Sequence, residues 1–433
     1  MLDIRFIRDN ADRVQESAKQ KGYEVDIKTV LKLDDDRREL MQRVDELRAR
    51  RNDNAAKMKG VQGKPDQAII DEGKQIKLEL AKQEEYLNQT NAEFIQLLRS
   101  VPNVALDEVP VGDSEDENVE IRVWGDKPQF DFAVKNHAEI AEAKGWLDKE
   151  RGAKIAGARF VYIMGDLVLL EMALWQFGMA VLTNTEVLQT IIDGLKLDIS
   201  PKPFIPILPP AAAKQAVFEA TGRLNRQEQT YKIEDEDLWL NASAEHTISP
   251  IYIDETIDEA ALPIRYVGYT TAFRREAGTY GKDTEGFFRL HQFNKLEMEC
   301  FTTKETSYNE HLFLVAIQEY LMQQLKLPYH VLEKCTADIG RPNAKGVDVE
   351  VWLPSQNMYR ETHTADYIGD YQTRAMKTRV RRSDGTVELA HTNDATAFSE
   401  RPLIGILEHY QTANGDVVIP DVLRPYMGGR EKI

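Results

Sequence analysis

The chain has 433 residues, 42% of them hydrophobic and 29% charged, enough for about two or three domains with cores of their own. Its formal charge of -17 excludes indiscriminate binding to nucleic acid, which needs Lys and Arg to neutralise phosphate, so an RNA partner has to meet a segment that departs from the average. No run of about 18 apolar residues occurs, and the N-terminus, MLDIRFIRDNADR, is too charged for a signal peptide; a cytoplasmic protein with no membrane partner is expected. Cys300 and Cys335 match no zinc spacing and are expected to be reduced thiols.

From Ile27 to Met58, and again from Gln67 to Leu98, the chain is charged, almost proline-free and helix-forming, with a break from Gly60 to Pro65. Gly73, Ile76, Leu80, Leu87, Phe94 and Leu97 recur at spacings of three, four or seven. Leu33, Leu40, Val44, Leu47 and Met58 answer them in the first half, where Arg51 and Asn54 interrupt the seam. The pattern predicts an antiparallel two-helix coiled coil, each helix on the order of 45 Å long at about 1.5 Å per residue. So narrow a hairpin has no globular core and has to project as an arm. Between Arg37 and Lys64 nine Lys/Arg stand against four acids, so the first helix is locally cationic. That suits a rod laid along an RNA backbone, although a solvated coiled-coil face has the same composition.

Val101 to Asp126 is rich in proline and acids and reads as a linker. Phe160, Tyr162 and Met164 then alternate before a helical run from Leu167 to Leu182, in which Leu169, Met172, Ala173, Gln176 and Ala180 sit at helical spacing, as in a core and interface helix. His137 reads as structural. Pro209-Pro210 and an amphipathic stretch from Ala211 to Thr221 follow. In Leu238 to Glu245, Ser243 and Glu245 point to one side of a strand or turn, an arrangement often incidental at a surface.

Thr270 to Met298 reads as two strands joined by a polar loop, with Gly278, Gly281 and Gly286 at its turns. Arg274 and Glu276 share one face; Arg289, His291, Phe293 and Glu297 share another. Arginines grip phosphate oxygens, a phenyl ring stacks on a base, and a carboxylate takes a hydroxyl or amine. A hairpin laced with salt bridges uses the same residues. Further on, Glu388 to Gln411 reads as a strand followed by a helix, with Leu403, Ile406, Leu407 and Tyr410 as its apolar stripe and Ser399 as its N-cap. Arg401 falls in the first turn, where a cation opposes the helix dipole and points to a nearby anion such as a nucleotide phosphate.

The string Phe273-Arg274-x-Glu276, a glycine-bearing loop, Arg289-x-His291-Gln292-Phe293 and then Glu297 resembles motif 2 of the class II aminoacyl-tRNA synthetases, in its seryl-tRNA synthetase form. The resemblance runs nearly end to end. It implies an α+β fold: an N-terminal helical arm over residues 1–108, then a catalytic domain over 109–433 with an antiparallel sheet flanked by helices and motifs 1, 2 and 3. It also implies a homodimer, Mg2+, and a two-step reaction. ATP and L-serine give seryl-adenylate, and the serine passes to the 3′-terminal adenosine of tRNA(Ser), with tRNA(Sec) open as a second acceptor. The arm would grip the tRNA. The helix to Leu182 would be motif 1, used in dimerisation and ending at Pro209-Pro210.

Residue by residue, the resemblance assigns Ser243 and Glu245 to the Thr-x-Glu loop that receives the substrate ammonium, with serine in place of threonine. Arg274 would bridge the α-phosphate and the amino-acid carboxylate, Glu276 would fix the adenine amine, and Phe293 would stack on adenine. Arg289 would hold nucleotide phosphates, and Glu297 would accept the serine hydroxyl. Glu361 would bind metal and ATP phosphate beside Thr364, although His363 and Ala365-Asp366-Tyr367 depart from the usual Ser-Cys-Ser-Asn. Arg401 would be the motif 3 arginine and, with Arg274 and Glu276, catalytic. The string before it is only partly kept in His391 to Ala397, and the spacing to Arg401 is one residue short; Thr396, then Asn393, are the expected serine contacts. His291 is left as structural or supporting. Two other readings remain at this point. One is a ligase loading an amino acid onto a carrier protein, whose known forms lack the arm; the other is a non-catalytic paralogue that binds RNA.

Overall fold

The computed structural model describes residues 1–59, 66–224, 229–276 and 286–433. The break from Gly60 to Pro65 and the turn glycines Gly278 and Gly281 lie outside the described residues. The chain divides into two compact units, Met1–Pro102 and Asn103–Ile433.

In the first unit, short helices Ile4–Asp9 and Ala11–Gln20 precede two long ones, α1 (Ile27–Lys59) and α2 (Gln67–Ser100). At 33 and 34 residues each spans about 50 Å. Val44, Leu47 and Leu80 form the centre of their seam, with Leu87 packed against it. The rest of the seam is more polar than its heptad pattern suggests. Asn54 does not interrupt it: the residue is buried, and its amide donates to the Ile69 carbonyl at 3.1 Å. Gly73 lets the helices close there, since a Cβ would lie 2.7 Å from Asn54 Oδ1.

Asp34 is fully buried, ringed by Arg8, Arg37 and Arg38 at 2.9, 2.7 and 3.0 Å, and Arg37 lies 4.8 Å over the Phe94 ring. Burial pushes the Asp34 carboxyl up, but the three guanidinium groups win and hold it below its ordinary value. Much of the α1 cation excess is thus locally paired. Arg43, Arg48 and Arg50 face Glu79, Glu84 and Glu72 of α2, while Arg51, Lys57 and Lys59 have no ion pair among the described residues.

The second unit is built on an eight-stranded sheet. Its strands are β1 (Val119–Trp124), β2 (Ile205–Ile207), β3 (Ile264–Phe273), β4 (Gln292–Thr302), β5 (Tyr329–Glu333), β6 (Lys345–Leu353), β7 (Met358–Gly369) and β8 (His391–Ser399), in the order β1-β5-β6-β7-β8-β4-β3-β2. Every pairing is antiparallel except β2 with β3. The supposed linker is therefore corrected: much of Val101 to Asp126 belongs to this unit. Asn103 bonds the Arg341, Pro342 and Ile368 backbone, and Val119 to Trp124 forms the edge strand.

Successive side chains alternate across a sheet, and here the alternation separates core from chemistry. Leu296 and Met298 of β4, Ala365 of β7 and Ala395 of β8 enter the main apolar core. There they meet three helices, α3 (Asp166–Leu182), α4 (Ser307–Gln324) and α5 (Arg401–His409). Gln318 of α4 ties β7 to β8 by donating to the Thr364 and Thr396 carbonyls, at 2.7 and 2.8 Å. The intervening residues, among them Glu297, Glu299, Asp366, Asp394 and Thr396, go to the other face. A bulge in β8 between Thr396 and Phe398 lets Phe398 rejoin the core.

In α3 the expected apolar stripe divides. Ala173 is buried with Leu170, Leu174 and Phe177, whereas Leu169 and Met172 are 49% and 44% exposed. No single helix among the described residues is long and apolar enough to cross a membrane.

The edge strand is stapled by a titratable group. His330 of β5 places Nδ1 2.7 Å from Glu120 of β1 and Nε2 2.7 Å from Glu350 of β6, with its ring stacked on Tyr359. Two carboxylate partners require both nitrogens to carry protons. Burial lowers its pKa, but the Glu350 and Glu120 carboxylates outweigh that and raise it. A raised folded-state pKa gives stability that is fully present below the unfolded value of about 6.5 and is lost as pH rises through the folded one. His330→Gln should therefore lower the melting temperature by several degrees at pH 5.5 and by little at pH 9, as read by thermal unfolding. An equal loss at both pH values would contradict the ionic staple.

Candidate active site

The polar face of the sheet opens into a cavity of about 310 Å³. Nine of the residues singled out from sequence line it: Glu245, Arg274, Glu276, Arg289, Phe293, Glu361, Thr364, Thr396 and Arg401. They come from separate parts of the chain because β3, β4, β7 and β8 are neighbours in the sheet.

Strand β3 ends at Phe273, so Arg274 and Glu276 leave its tip rather than share a strand face. Glu276 adopts φ +51° and stands 3.4 Å from Arg289, which like His291 precedes β4. The Arg274 guanidinium lies 5.2 Å over the Phe293 ring, with Nε donating to the Ala242 carbonyl. His291 supports this tip from behind: its Nδ1 is 2.8 Å from the Arg274 carbonyl, and its ring packs near Phe160 and Tyr231. Across the cavity Arg401 pairs with Glu361 at 3.1 Å and covers the Phe288 ring. The surrounding cavity wall strips some hydration from the Glu361 carboxyl and pushes it up, but Arg401 and Lys334 bring it down to about 2. Three arginines and two phenyl rings thus bound one space, a set suited to a polyanion carrying a flat base.

Beneath Arg274 lies a smaller polar nest. Ser243 donates to Glu245 at 2.6 Å, and Glu245 begins a short helix, Glu245–Ile248. Lys295 reaches Ser243 at 3.2 Å and Glu297 at 2.8 Å, while Thr396 lies 3.4 Å from Glu297. Glu297 is fully buried; burial pushes its carboxyl up to about 7 in spite of Lys295. Burial also acts on Glu245, but Arg223 and Lys295 overcome it and hold that carboxyl well below the usual range. One acid is held ionised and its neighbour is poised near neutrality, so the nest distinguishes a cation from a hydroxyl.

Asn393 is not brought to this nest. It alternates with Asp394 and Thr396, so its side chain is on the core side, donating to the Ser307 carbonyl at 2.8 Å. Conversely, Arg223, Lys295, Lys334, Phe288, Asp366 and Asp394 also line the cavity and were not picked out as site residues. Lys295 was within reach, being two residues from Glu297 and hence on its face. Arg223 follows a helix C-cap and has no local signal. No group of three or more His, Cys, Asp or Glu among the described residues is placed to hold a metal ion. Glu361, half exposed on the cavity wall beside the Thr364 hydroxyl, nevertheless fits Mg2+, which commonly takes one or two carboxylates together with substrate phosphates.

Comparison with known proteins agrees with this geometry. Residues 1–105 match the family model for the seryl-tRNA synthetase N-terminal domain, and residues 210–410 match that for the tRNA synthetase class II core domain (G, H, P, S and T). The serine–tRNA ligase of Geobacter sp. strain M21 is 39% identical over 437 residues, covering 100% of both chains. The crystal structure of seryl-tRNA synthetase from Pyrococcus horikoshii complexed with ATP has a TM-score of 0.87 and 32% identity, covering 100% of this chain and 99% of that one. That of the cytoplasmic serine–tRNA ligase from Naegleria fowleri in complex with AMP has a TM-score of 0.82 and 28% identity, covering 100% and 98%. With both terminal and core regions matched and relatives similar along their whole length, this chain belongs to the seryl-tRNA synthetases, within class II of the aminoacyl-tRNA synthetases.

Proposed function

We infer that this chain activates L-serine with ATP to form seryl-adenylate and transfers the serine to the 3′-terminal adenosine of tRNA(Ser). The observation that carries this reading is the adjacency of the arginine-walled cavity and the Ser243–Glu245–Lys295–Glu297 nest. Activation brings two anions together, because the serine carboxylate attacks the α-phosphorus and pyrophosphate leaves. Fixed cations at the meeting point offset the repulsion, and catalysis is mainly positioning and charge stabilisation.

Arg274, between the cavity and the nest, bridges the α-phosphate and the carboxylate. Phe293 stacks on the adenine and Glu276 takes its amine, while Arg289 and Arg401 hold the phosphates. Glu361 and Thr364 hold Mg2+, which when bound neutralises phosphate charge. In the nest, Glu245 takes the ammonium, with Ser243 orienting its carboxylate. Glu297 and Thr396 take the serine hydroxyl. Alanine is rejected because it would leave these buried groups unpaired.

The same reading makes α1 and α2 the tRNA-gripping arm, with Arg51, Lys57 and Lys59 as cations that remain available to phosphate. A homodimer in the cytoplasm completes it, supported by the outward Leu169 and Met172 of α3. ATP–pyrophosphate exchange without tRNA, run in parallel with serine, threonine, alanine and glycine, tests the proposal: exchange with serine and little with the others is expected. Exchange driven by alanine or glycine would instead favour a carrier-protein ligase, and none at all a non-catalytic protein.

A further inference from the structure

The ladder between β8 and β4 runs out beside the cavity. Strand β8 ends at Ser399, opposite Lys295 of β4, and α5 begins at Arg401, so the chain turns at Glu400, whose backbone is already helical. Had β8 run one residue further, the Glu400 backbone would stand opposite Asn294 and take its N–H. The turn removes that acceptor. The Glu400 side chain replaces it, since its Oε1 accepts from the Asn294 N–H at 2.8 Å.

Asn294 is held on its other sides as well. It pairs with Thr271 of β3 in the sheet, its Oδ1 accepts from the Thr271 hydroxyl at 2.9 Å, and its Nδ2 donates to Glu171 of α3 at 2.9 Å. Trp175 donates to the same Glu171 oxygen at 3.3 Å. Asn294 follows Phe293, and Glu400 precedes Arg401; Phe293, Glu400 and Arg401 all line the cavity. One carboxyl group thus spans the gap between the neighbour of the phenyl ring and the neighbour of the arginine. Arg401 is tied separately to β7 through the Glu361 carbonyl and carboxylate. On the β4 side, Glu400 is what carries the ladder beyond Lys295. Burial, reinforced by the Glu171 carboxyl, pushes the Glu400 carboxyl well above its ordinary value. The rung therefore requires an acceptor oxygen at this reach rather than a charge.

We propose that Glu400 is a positioning residue for ATP, its carboxyl group continuing the β8–β4 ladder by one rung and so holding Phe293 and Arg401 at the spacing that receives the nucleotide. The assignment rests on the serine-activating reading above, in which Phe293 stacks on the adenine and Arg401 holds phosphate. Serine binds further along β4, where the pairing of Lys295 with Ser399 persists without Glu400. The two substrates therefore depend on this residue unequally.

The test uses the full-length enzyme and three variants: Glu400→Gln keeps the reach and loses the charge, Glu400→Asp keeps the charge and falls one methylene short, and Glu400→Ala loses both. Pyrophosphate exchange gives the KM for ATP and for serine, and thermal unfolding reports on the fold. Glu400→Asp and Glu400→Ala should raise the KM for ATP roughly tenfold, as expected when a part-buried N–H loses its acceptor, while the KM for serine stays within about twofold. Glu400→Gln should leave both within about twofold, because its amide oxygen accepts the same bond. If the alanine variant does not fold, the comparison of Glu400→Asp with Glu400→Gln decides alone. Equal damage from those two would make charge, not the rung, the feature that matters, and would overturn the proposal. So would a parallel rise in both KM values, or a lowered melting temperature with both KM values unchanged, since either leaves Glu400 with a merely structural role. Absence of serine-dependent exchange in the unmodified enzyme would overturn the function as well, whereas normal exchange there with a silent Glu400→Asp overturns this inference alone.

Discussion

Replacing Glu297 with alanine should cut serine-dependent pyrophosphate exchange by about a hundredfold or more, while the KM for ATP moves by no more than about twofold. The carboxylate is fully buried, and Lys295 and Thr396 hold it from two sides, so its position is fixed before serine arrives. A hydroxyl entering the nest satisfies a group that would otherwise be left without its partner, and alanine cannot do so. The variant should therefore also lose most of the preference for serine over alanine. Removing the carboxylate leaves Lys295 buried without its ion pair, which itself destabilises the fold. Glu297→Gln separates the two effects, since it keeps shape and polarity while removing the charge. Equal losses for serine and ATP in both variants would contradict the assigned role.

The second large effect concerns the helical pair. Removing residues 41–90 and closing the gap with a short glycine linker keeps Asp34 with its three arginines and Arg37 with Phe94. Pyrophosphate exchange should remain close to that of the intact enzyme, because every residue lining the cavity lies beyond Pro102. Charging of tRNA(Ser) should fall by about two orders of magnitude, and the remainder should lose much of its salt dependence, as expected when Lys and Arg contacts to phosphate are removed. Undiminished charging would show that the tRNA is held elsewhere.

Which parts of this molecule could be read from sequence follows from the range of the interactions involved. Strands β3 and β4, the long helices and the residues reaching the cavity from motif 2 depend on local pattern, and they were legible. The apolar spacing that marks Val44 and Leu47 does not extend to Asp34 and Asn54, because those residues are buried with partners drawn from elsewhere: Arg8 is 26 positions from Asp34, and Ile69 is 15 from Asn54. Arg223 and Asp394 are 171 positions apart and meet only through the sheet. The edge strand was a different failure. Val119, Ile121 and Val123 alternate as a strand should, but the proline and acid content around them outweighed that signal. Asn393 was misplaced by choosing a residue type without following the alternation of β8.

The bulge in β8 has a consequence for how this stretch tolerates change. Because Ala397 is the extra residue, everything before it obeys one parity and everything after it the other: Thr396 reaches the cavity, and Phe398 reaches the core. Exchanging one side chain here alters one contact. Deleting Ala397 would instead straighten the strand and still leave Phe398 opposite Leu296 on the core face, because the bulge is what carries this pairing past the extra residue. The bulge thus absorbs a one-residue difference in length while keeping the cavity and core faces of β8 in step with β4.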